Sequence, residues 1–308
     1  MGRPPSSYRA SSTPDAARIL QPAPTQEEFL QSPTRQGTVV PGRSGDRPRR
    51  EVRARFLARV ATARRRALLV DYDGTLAPLT ADRARAVPYP GMRAALATVA
   101  LARRRTAIWI VSGRSVDELG SLLGLDRLVD VWGSHGMERR SRHGRWSGAP
   151  PDGAAAALLD SVGRELARRA GRALVERKRY GLAVHERGAE PAGYRAAVAA
   201  LREIEGEAAG QGLALVPFDG GLELRPRGFH KGLVVERAFG ELGDDAAVAY
   251  LGDDATDEDA FAALRGRGLS VLVRREPRRT RAELCLRPPG EVLDFFEAWA
   301  EACRADAP

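Results

Sequence analysis

The chain has 308 residues, 43% of them hydrophobic and 29% charged, with a formal charge of +9; it can fill the core of one large domain or two modest ones and is not disordered throughout. Its two cysteines, Cys285 and Cys303, exclude a disulfide framework or a cysteine-built metal site. No apolar run approaches the roughly 18 to 20 residues that span a bilayer, and no apolar segment of a secretory signal opens the chain, so a soluble protein of a reducing, cytoplasmic setting is expected.

The charge is local. Residues 1–66 carry 14 arginines against five acidic residues, and the remaining 242 hold 35 basic and 35 acidic ones. A nucleic-acid partner is therefore not expected for the folded part, although net basicity would ordinarily suggest one. Residues 1–50, rich in Pro, Ser, Arg and Gln, read as a disordered basic arm.

From residue 51, Val52, Phe56, Leu57 and Val60 recur at helical spacing, with Arg64, Arg65 and Arg66 closing that helix. Residues 67–70 form a short apolar run that breaks into Asp71-Tyr72-Asp73-Gly74-Thr75, the pattern of a buried parallel strand ending in a loop. Helix 91–104, strand 106–111 with the turn Ser112-Gly113-Arg114, helix 116–123 and strand 128–132 with the turn Gly133-Ser134-His135-Gly136 continue the alternation. Such alternation predicts a parallel sheet flanked by helices, with ligands at the carboxyl ends of its strands.

The middle third changes character. Helix 154–170, strands 173–177 and 182–186, helix 191–207, and strands 213–217 and 221–225 give an αββαββ order, the pattern of a separate, mostly antiparallel α+β module. Helix 231–239, strand 247–251 and strand 269–273 then return to the βα pattern. The predicted fold class is α/β, with a Rossmann-like core formed by residues 51–147 and 226–308 and an inserted cap at 148–225.

Asp71 and Asp73 stand two apart at a strand end, so their carboxyl groups converge on one spot, where a hard divalent cation relieves their repulsion. Taken alone, the same spacing also fits an Asp-rich turn. A second acidic run, Gly252-Asp253-Asp254-Ala255-Thr256-Asp257-Glu258-Asp259, follows another apolar strand; it fits Asp253 on a metal and Asp257 to Asp259 partly starting a helix, with Thr256 as N-cap and Glu258 or Asp259 complementing the dipole. Ser112 offers a hydroxyl and the following Gly113 an amide to a phosphate. Lys231, at the start of a helix, supplies positive charge for a phosphoryl group and a carboxylate.

These four pieces, in this order, resemble the haloacid dehalogenase superfamily of phosphatases. The resemblance implies that Asp71 attacks phosphorus and that Asp73 protonates the leaving oxygen and then activates water, with a magnesium ion on Asp71, Asp73 (through its backbone carbonyl) and Asp253. A narrower resemblance, to the trehalose-6-phosphate phosphatase family, rests on the segment from Asp71 to Leu79, Ser112-Gly113-Arg114, Gly133 to Gly136, Lys178 to Arg187, Glu223-Leu224-Arg225-Pro226, Lys231-Gly232 and the run from Gly252 to Phe261. It implies that Lys178, His185, Arg187 and Glu223 read sugar hydroxyls, and that Thr75, Gly113, Arg114, Ser134, His135 and Asp254 complete the substrate site. The alternatives are another capped sugar phosphatase, such as a sucrose-phosphate or mannosyl-phosphoglycerate phosphatase, which shares the core logic, and, from a different class, a catalytically idle regulator whose acidic pocket binds magnesium or a sugar phosphate. A monomer is expected, acting on a small sugar phosphate made by a separate synthase.

Overall fold

Runs that are apolar at every position belong to strands covered on both faces, and residues 66–71 and 247–252 are buried throughout. The computed structural model describes residues 38–39, 46–80, 82–102, 105–125, 127–170, 174–186, 188–276 and 278–304. In chain order its first strands are β1 (Arg66–Asp71), β2 (Ala107–Val111), β3 (Val129–Gly133), β4 (Glu138–Arg140) and β5 (Trp146–Gly148). A second set follows: β6 (Val175–Arg177), β7 (Leu182–His185), β8 (Leu213–Phe218) and β9 (Gly221–Pro226). The chain then returns with β10 (Ala247–Gly252), β11 (Leu269–Val273) and β12 (Leu284–Leu286). The helices are α1 (Asp46–Thr62), α2 (Met92–Leu101), α3 (Val116–Leu123), α4 (Gly153–Ala170), α5 (Pro191–Glu203), α6 (Glu205–Gly210), α7 (Lys231–Leu242), α8 (Glu258–Leu264) and α9 (Gly290–Arg304).

The main sheet has the order β12-β11-β10-β1-β2-β3-β4-β5. All neighbours from β12 to β3 are parallel, while β3–β4 and β4–β5 are antiparallel. The sheet is thus mixed, because a short meander at 138–148, absent from the predicted elements, adds an antiparallel edge. Helices α1, α2, α3 and α9 cover one face, where Trp299 packs on Phe56 and Phe295 at ring distances of 5.8 and 6.0 Å and donates from Nε1 to Thr106 Oγ1 at 2.9 Å. Helices α7 and α8 cover the other face through Val234, Phe239 and Phe261. The second sheet, β6-β7-β9-β8, is antiparallel throughout, and α4 and α5 bury Leu159, Leu166, Ala197 and Leu201 against it. This is the α/β core with an inserted αββαββ layer.

Several local expectations are corrected. Helix α1 begins at Asp46, inside the segment expected to be the arm, and residues 38–39 pair with Arg279–Thr280; residues 1–37 and 40–45 lie outside the described residues. Arg64 to Arg66 do not close this helix, which ends at Thr62. Arg66 is buried as the first residue of β1, its Nε donating to Val60 O. The helix expected over 191–207 divides at Ile204, whose φ of −96° and ψ of 3° interrupt the turn.

Candidate active site

The register of the parallel strands sets the site. Asp71 pairs with Val111, and Val70 with Leu251, so the residues that follow, Asp73, Ser112 and Asp253, emerge at one sheet edge. Gly74 is needed there twice over. Its φ is +82°, and a Cβ on it would lie 2.0 Å from Asp253 Oδ2, so only glycine lets the two acidic loops close on each other. Gly252 repeats the device, since its Cβ would meet Asp257 Cγ at 2.3 Å.

Three buried carboxylates, Asp71, Asp253 and Asp257, bring oxygens within 4.8 Å of one another. Lys231, at the first position of α7, donates 2.7 Å hydrogen bonds to Asp71 Oδ1 and Asp257 Oδ1. Tyr250 Oη and the Asp254 amide add bonds to Asp257 at 2.6 and 2.9 Å. One ammonium faces three carboxylates, and burial, with Asp257 and Asp73 nearby, pushes the Asp71 carboxyl up to about 8 even though Lys231 opposes the shift. Burial and the charges of Asp71 and Asp257 likewise hold Asp253 well above the usual carboxylate range. Asp253 Oδ1 is buried and has no hydrogen-bond partner. An all-oxygen, electron-rich cluster with an orphaned acceptor fits a hard divalent cation. Asp257 was expected only as part of a helix start; its place five residues beyond Gly252 is the one sequence signal for its inward position.

The Asp73 carboxylate does not join this cluster. It is held by Arg114 in a two-pronged pair, Nε to Oδ2 and Nη2 to Oδ1, each 2.7 Å. Arg114, expected on the substrate, is therefore engaged with Asp73, and its third nitrogen, Nη1, donates to the Arg83 carbonyl at 2.9 Å. Ser112 is buried, its Oγ accepting from the Arg114 amide at 3.2 Å. Thr75 is fully buried, and its Oγ1 has no partner.

The Gly133-Ser134-His135-Gly136 turn bends through a left-handed backbone, with φ of 48° at Ser134 and 57° at His135. Ser134 Oγ donates to Glu138 at 2.8 Å, so it is a strut of the turn. His135 fits over Gly113, where a Cβ would come within 2.7 Å of its ring. Its Nε2 meets Glu223 Oε2 at 3.1 Å, and Lys178 Nζ donates to the same oxygen at 2.9 Å. Burial and the Arg225 charge lower His135 to about 3, so it is a neutral donor to Glu223. Burial opposes the Glu223 charge, but Lys178, His135 and Arg225 outweigh it and keep the carboxyl well below its ordinary range.

His185 Nε2 meets Glu176 Oε2 at 2.7 Å and its ring stands edge-on to Phe218 at 5.4 Å. Arg187 lies outside the described residues. Asp254 rather than Thr256 caps the turn that follows β10, accepting from Ala255 N at 2.5 Å; it also accepts from Asp219 N at 2.8 Å on the tip of the β8–β9 hairpin. Its carboxylate thus joins the inserted layer to the core edge. Arg83 and Glu176, neither singled out from the sequence, form an ion pair between the same two parts.

Between core edge and insert lies a cleft of about 240 Å³, with Asp71, Asp73, Ser112, Arg114, Lys231 and Asp253 on one wall and Lys178, His185, Phe218 and Glu223 on the other. Anionic and cationic groups on the core side, facing polar groups and one aromatic ring on the insert, suit a phosphate ester of a polyhydroxylated molecule. A family model described as trehalose-phosphatase matches residues 69–286. The chain belongs to the trehalose-phosphatase family. It is similar to the probable trehalose-phosphate phosphatase 9 of Oryza sativa subsp. japonica, 34% identical over 274 residues that cover 78% of this chain and 71% of that protein. The trehalose-phosphate phosphatase of Mycobacterium marinum is 33% identical over 249 residues, and the chain spans 61% of its length. Among solved structures, the C-terminal domain of trehalose-6-phosphate phosphatase from C. albicans superposes with a TM-score of 0.68 at 25% identity, covering 81% of this chain and 96% of that one. A haloacid dehalogenase-like hydrolase from Bacteroides thetaiotaomicron shares the fold alone, with a TM-score of 0.56 at 13% identity.

Proposed function

We propose that this trehalose-phosphatase family member hydrolyses trehalose 6-phosphate to trehalose and phosphate, with Asp71 as nucleophile and Asp73 as general acid and base. The observation that carries the reading is the position of Asp71, buried beside Lys231 and Asp253 yet lining a cleft whose far wall is the polar insert. An Asp71 oxygen attacks phosphorus as the bond to the sugar oxygen breaks, and Asp73 gives that oxygen its proton. Asp73 then takes a proton from water as the water oxygen attacks phosphorus of the aspartyl phosphate, freeing phosphate and regenerating Asp71. Lys231 offsets the charge of Asp71, while the Ser112 hydroxyl and Gly113 amide bind phosphoryl oxygens.

Asp71, Asp253 and Asp257, with the Asp73 backbone carbonyl, would hold magnesium, whose charge screens the transferring phosphoryl oxygens. Residues 148–225 serve as the cap. Lys178, His185, Arg187 and Glu223 read the disaccharide hydroxyls, because a sugar that leaves polar groups of the site unpaired binds at a cost. No helix among the described residues is long and apolar enough to cross a membrane. The proposed setting is a cytoplasmic monomer fed by a separate synthase, without nucleic acid. The test is phosphate release from trehalose 6-phosphate, glucose 6-phosphate and sucrose 6-phosphate at equal concentration with magnesium. A strong preference for the first is expected, and equal rates would remove the substrate assignment.

A further inference from the structure

Arg83 joins Arg114, which grips the proposed catalytic acid Asp73, to the insert. It opens a short 3-10 turn, Arg83–Arg85, capped by Asp82, whose Oδ1 accepts from Ala84 N at 3.1 Å. The far end of this segment is fixed as well, since the buried Tyr72 Oη donates to Ala86 O at 2.7 Å. Between these anchors the Arg83 carbonyl accepts from Arg114 Nη1 at 2.9 Å, and the other two nitrogens of Arg114 donate to Asp73. The Arg83 guanidinium points the opposite way and pairs with Glu176 on β6, which also accepts from His185. A continuous line therefore runs Asp73, Arg114, Arg83, Glu176, His185, from the core edge to the insert.

Two features make this line more than a surface ion pair. Its side chains are largely shielded: Arg114 is 2% exposed, Arg83 29% and Glu176 22%, so the pairs are screened less than exposed ones, which are worth about 0 to 1 kcal/mol. A guanidinium with all three nitrogens engaged is also fixed in plane, so its fork sets the orientation of the carboxylate it grips. Glu176 holds the Arg83 side chain while the Arg83 carbonyl is the third support of Arg114, so one residue ties the seating of the insert to the Arg114 fork.

We infer that Arg83 is a positioning residue, which makes the orientation of Asp73 depend on the seating of the insert through Glu176. The inference rests on the role proposed above for Asp73. It assigns Arg83 no contact with the reacting atoms.

The test uses the full chain with Arg83→Met, which removes the guanidinium and keeps the carbonyl, Glu176→Gln, and the double variant. With trehalose 6-phosphate and magnesium, Arg83→Met is expected to lower kcat about tenfold while KM stays within twofold. On p-nitrophenyl phosphate, whose leaving group departs without a proton, kcat/KM should change less than twofold. The double variant should be no slower than the slower single one. A KM rise at unchanged kcat would make Arg83 a plain substrate contact, and multiplying losses in the double variant would separate Arg83 from Glu176; either result overturns the inference. A readout independent of turnover is solvent exchange of the Arg114 Nε proton by NMR, assigned by its loss in Arg114→Lys. Exchange should accelerate at least fivefold in Arg83→Met, and an unchanged rate overturns the coupling. Should the wild-type chain reject trehalose 6-phosphate, the substrate assignment fails, while the exchange rate still decides the role of Arg83.

Discussion

Lys231 donates to Asp71 and to Asp257 at the same distance, 2.7 Å, which makes a single buried ammonium the shared counterion of two carboxylates from different loops. Removing one partner of a buried charge group costs about 3 to 5 kcal/mol. Asp71, already pushed up to about 8, offsets part of that by taking a proton. Lys231→Met is therefore expected to lower Tm by roughly 5 to 15 °C and kcat by about 100- to 1,000-fold. Differential scanning calorimetry and steady-state kinetics check it, and a native Tm would show that Lys231 is not the counterion.

The orphaned Oδ1 of Asp253 gives the cation a measurable signature. Magnesium at 100 times its Kd should stabilise the chain by about 2.7 kcal/mol, seen as a rise in Tm, and chelation should abolish phosphate release. Asp253→Asn, which removes a charge from the cluster at nearly constant volume, should lose that rise. If the Tm of Asp253→Asn still climbs with magnesium as the wild type does, the ion binds elsewhere.

Asp71→Asn keeps shape and burial but removes the attacking carboxylate, so turnover should fall below detection while the far-UV circular dichroism spectrum and Tm remain near wild type. Relief of the crowded negative charge around Asp71 makes an unchanged or slightly raised Tm the expected direction. Retained phosphate release would overturn the proposed nucleophile.

The parallel core and the three acidic positions at its edge were legible in the sequence because buried strands are uniformly apolar and break abruptly into polar loops; Val70 before Asp71 and Leu251 before Gly252 show it. What the sequence did not reveal depends on the third dimension. Asp257 reads as a helix start because a carboxylate after a strand serves a helix dipole equally well, whereas its inward place depends on the space left by Gly252 and on bonds from Lys231, Tyr250 and the Asp254 amide. Arg114 was read toward substrate because a single arginine in a turn carries no sign of which carboxylate it will grip. Arg83 and Glu176 lie 93 residues apart on different layers, and neither sits in a motif. The antiparallel edge at 138–148 is three residues per strand, too short for alternation to register.

Glu223 is the hub of the insert wall, joined to Lys178 and His135 at 2.9 and 3.1 Å. Glu223→Gln preserves the shape but loses the charge that orders both partners. Hydrogen bonds to charged groups are worth about 1.5 to 3 kcal/mol, so kcat/KM for trehalose 6-phosphate should fall roughly 10- to 100-fold. Hydrolysis of p-nitrophenyl phosphate, too small to need that wall, should stay within threefold. Equal losses on both substrates would assign Glu223 to the phosphoryl chemistry rather than to the sugar.

His135 provides the last prediction, through the pH dependence of stability. Its folded value is about 3, against an ordinary 6.5, because burial and Arg225 disfavour the charged ring. Between these values the unfolded chain binds a proton that the folded chain does not, so stability is complete above pH 6.5 and falls as the pH drops toward 3. At pH 4 the loss amounts to about 3 kcal/mol. Glu223 acts in the same direction at lower pH, since a carboxyl held below its ordinary 4.5 gives stability that is present above that pH and lost as acid protonates it. The half-buried His230, also lowered by burial, leaves a residual slope of the same sign. His135→Asn, which tolerates the left-handed backbone at φ 57°, should be less stable at pH 7.5 yet show a visibly flatter fall between pH 6.5 and 4.5 in urea denaturation. An identical slope in the variant would mean that His135 is not the group whose protonation the folded state resists.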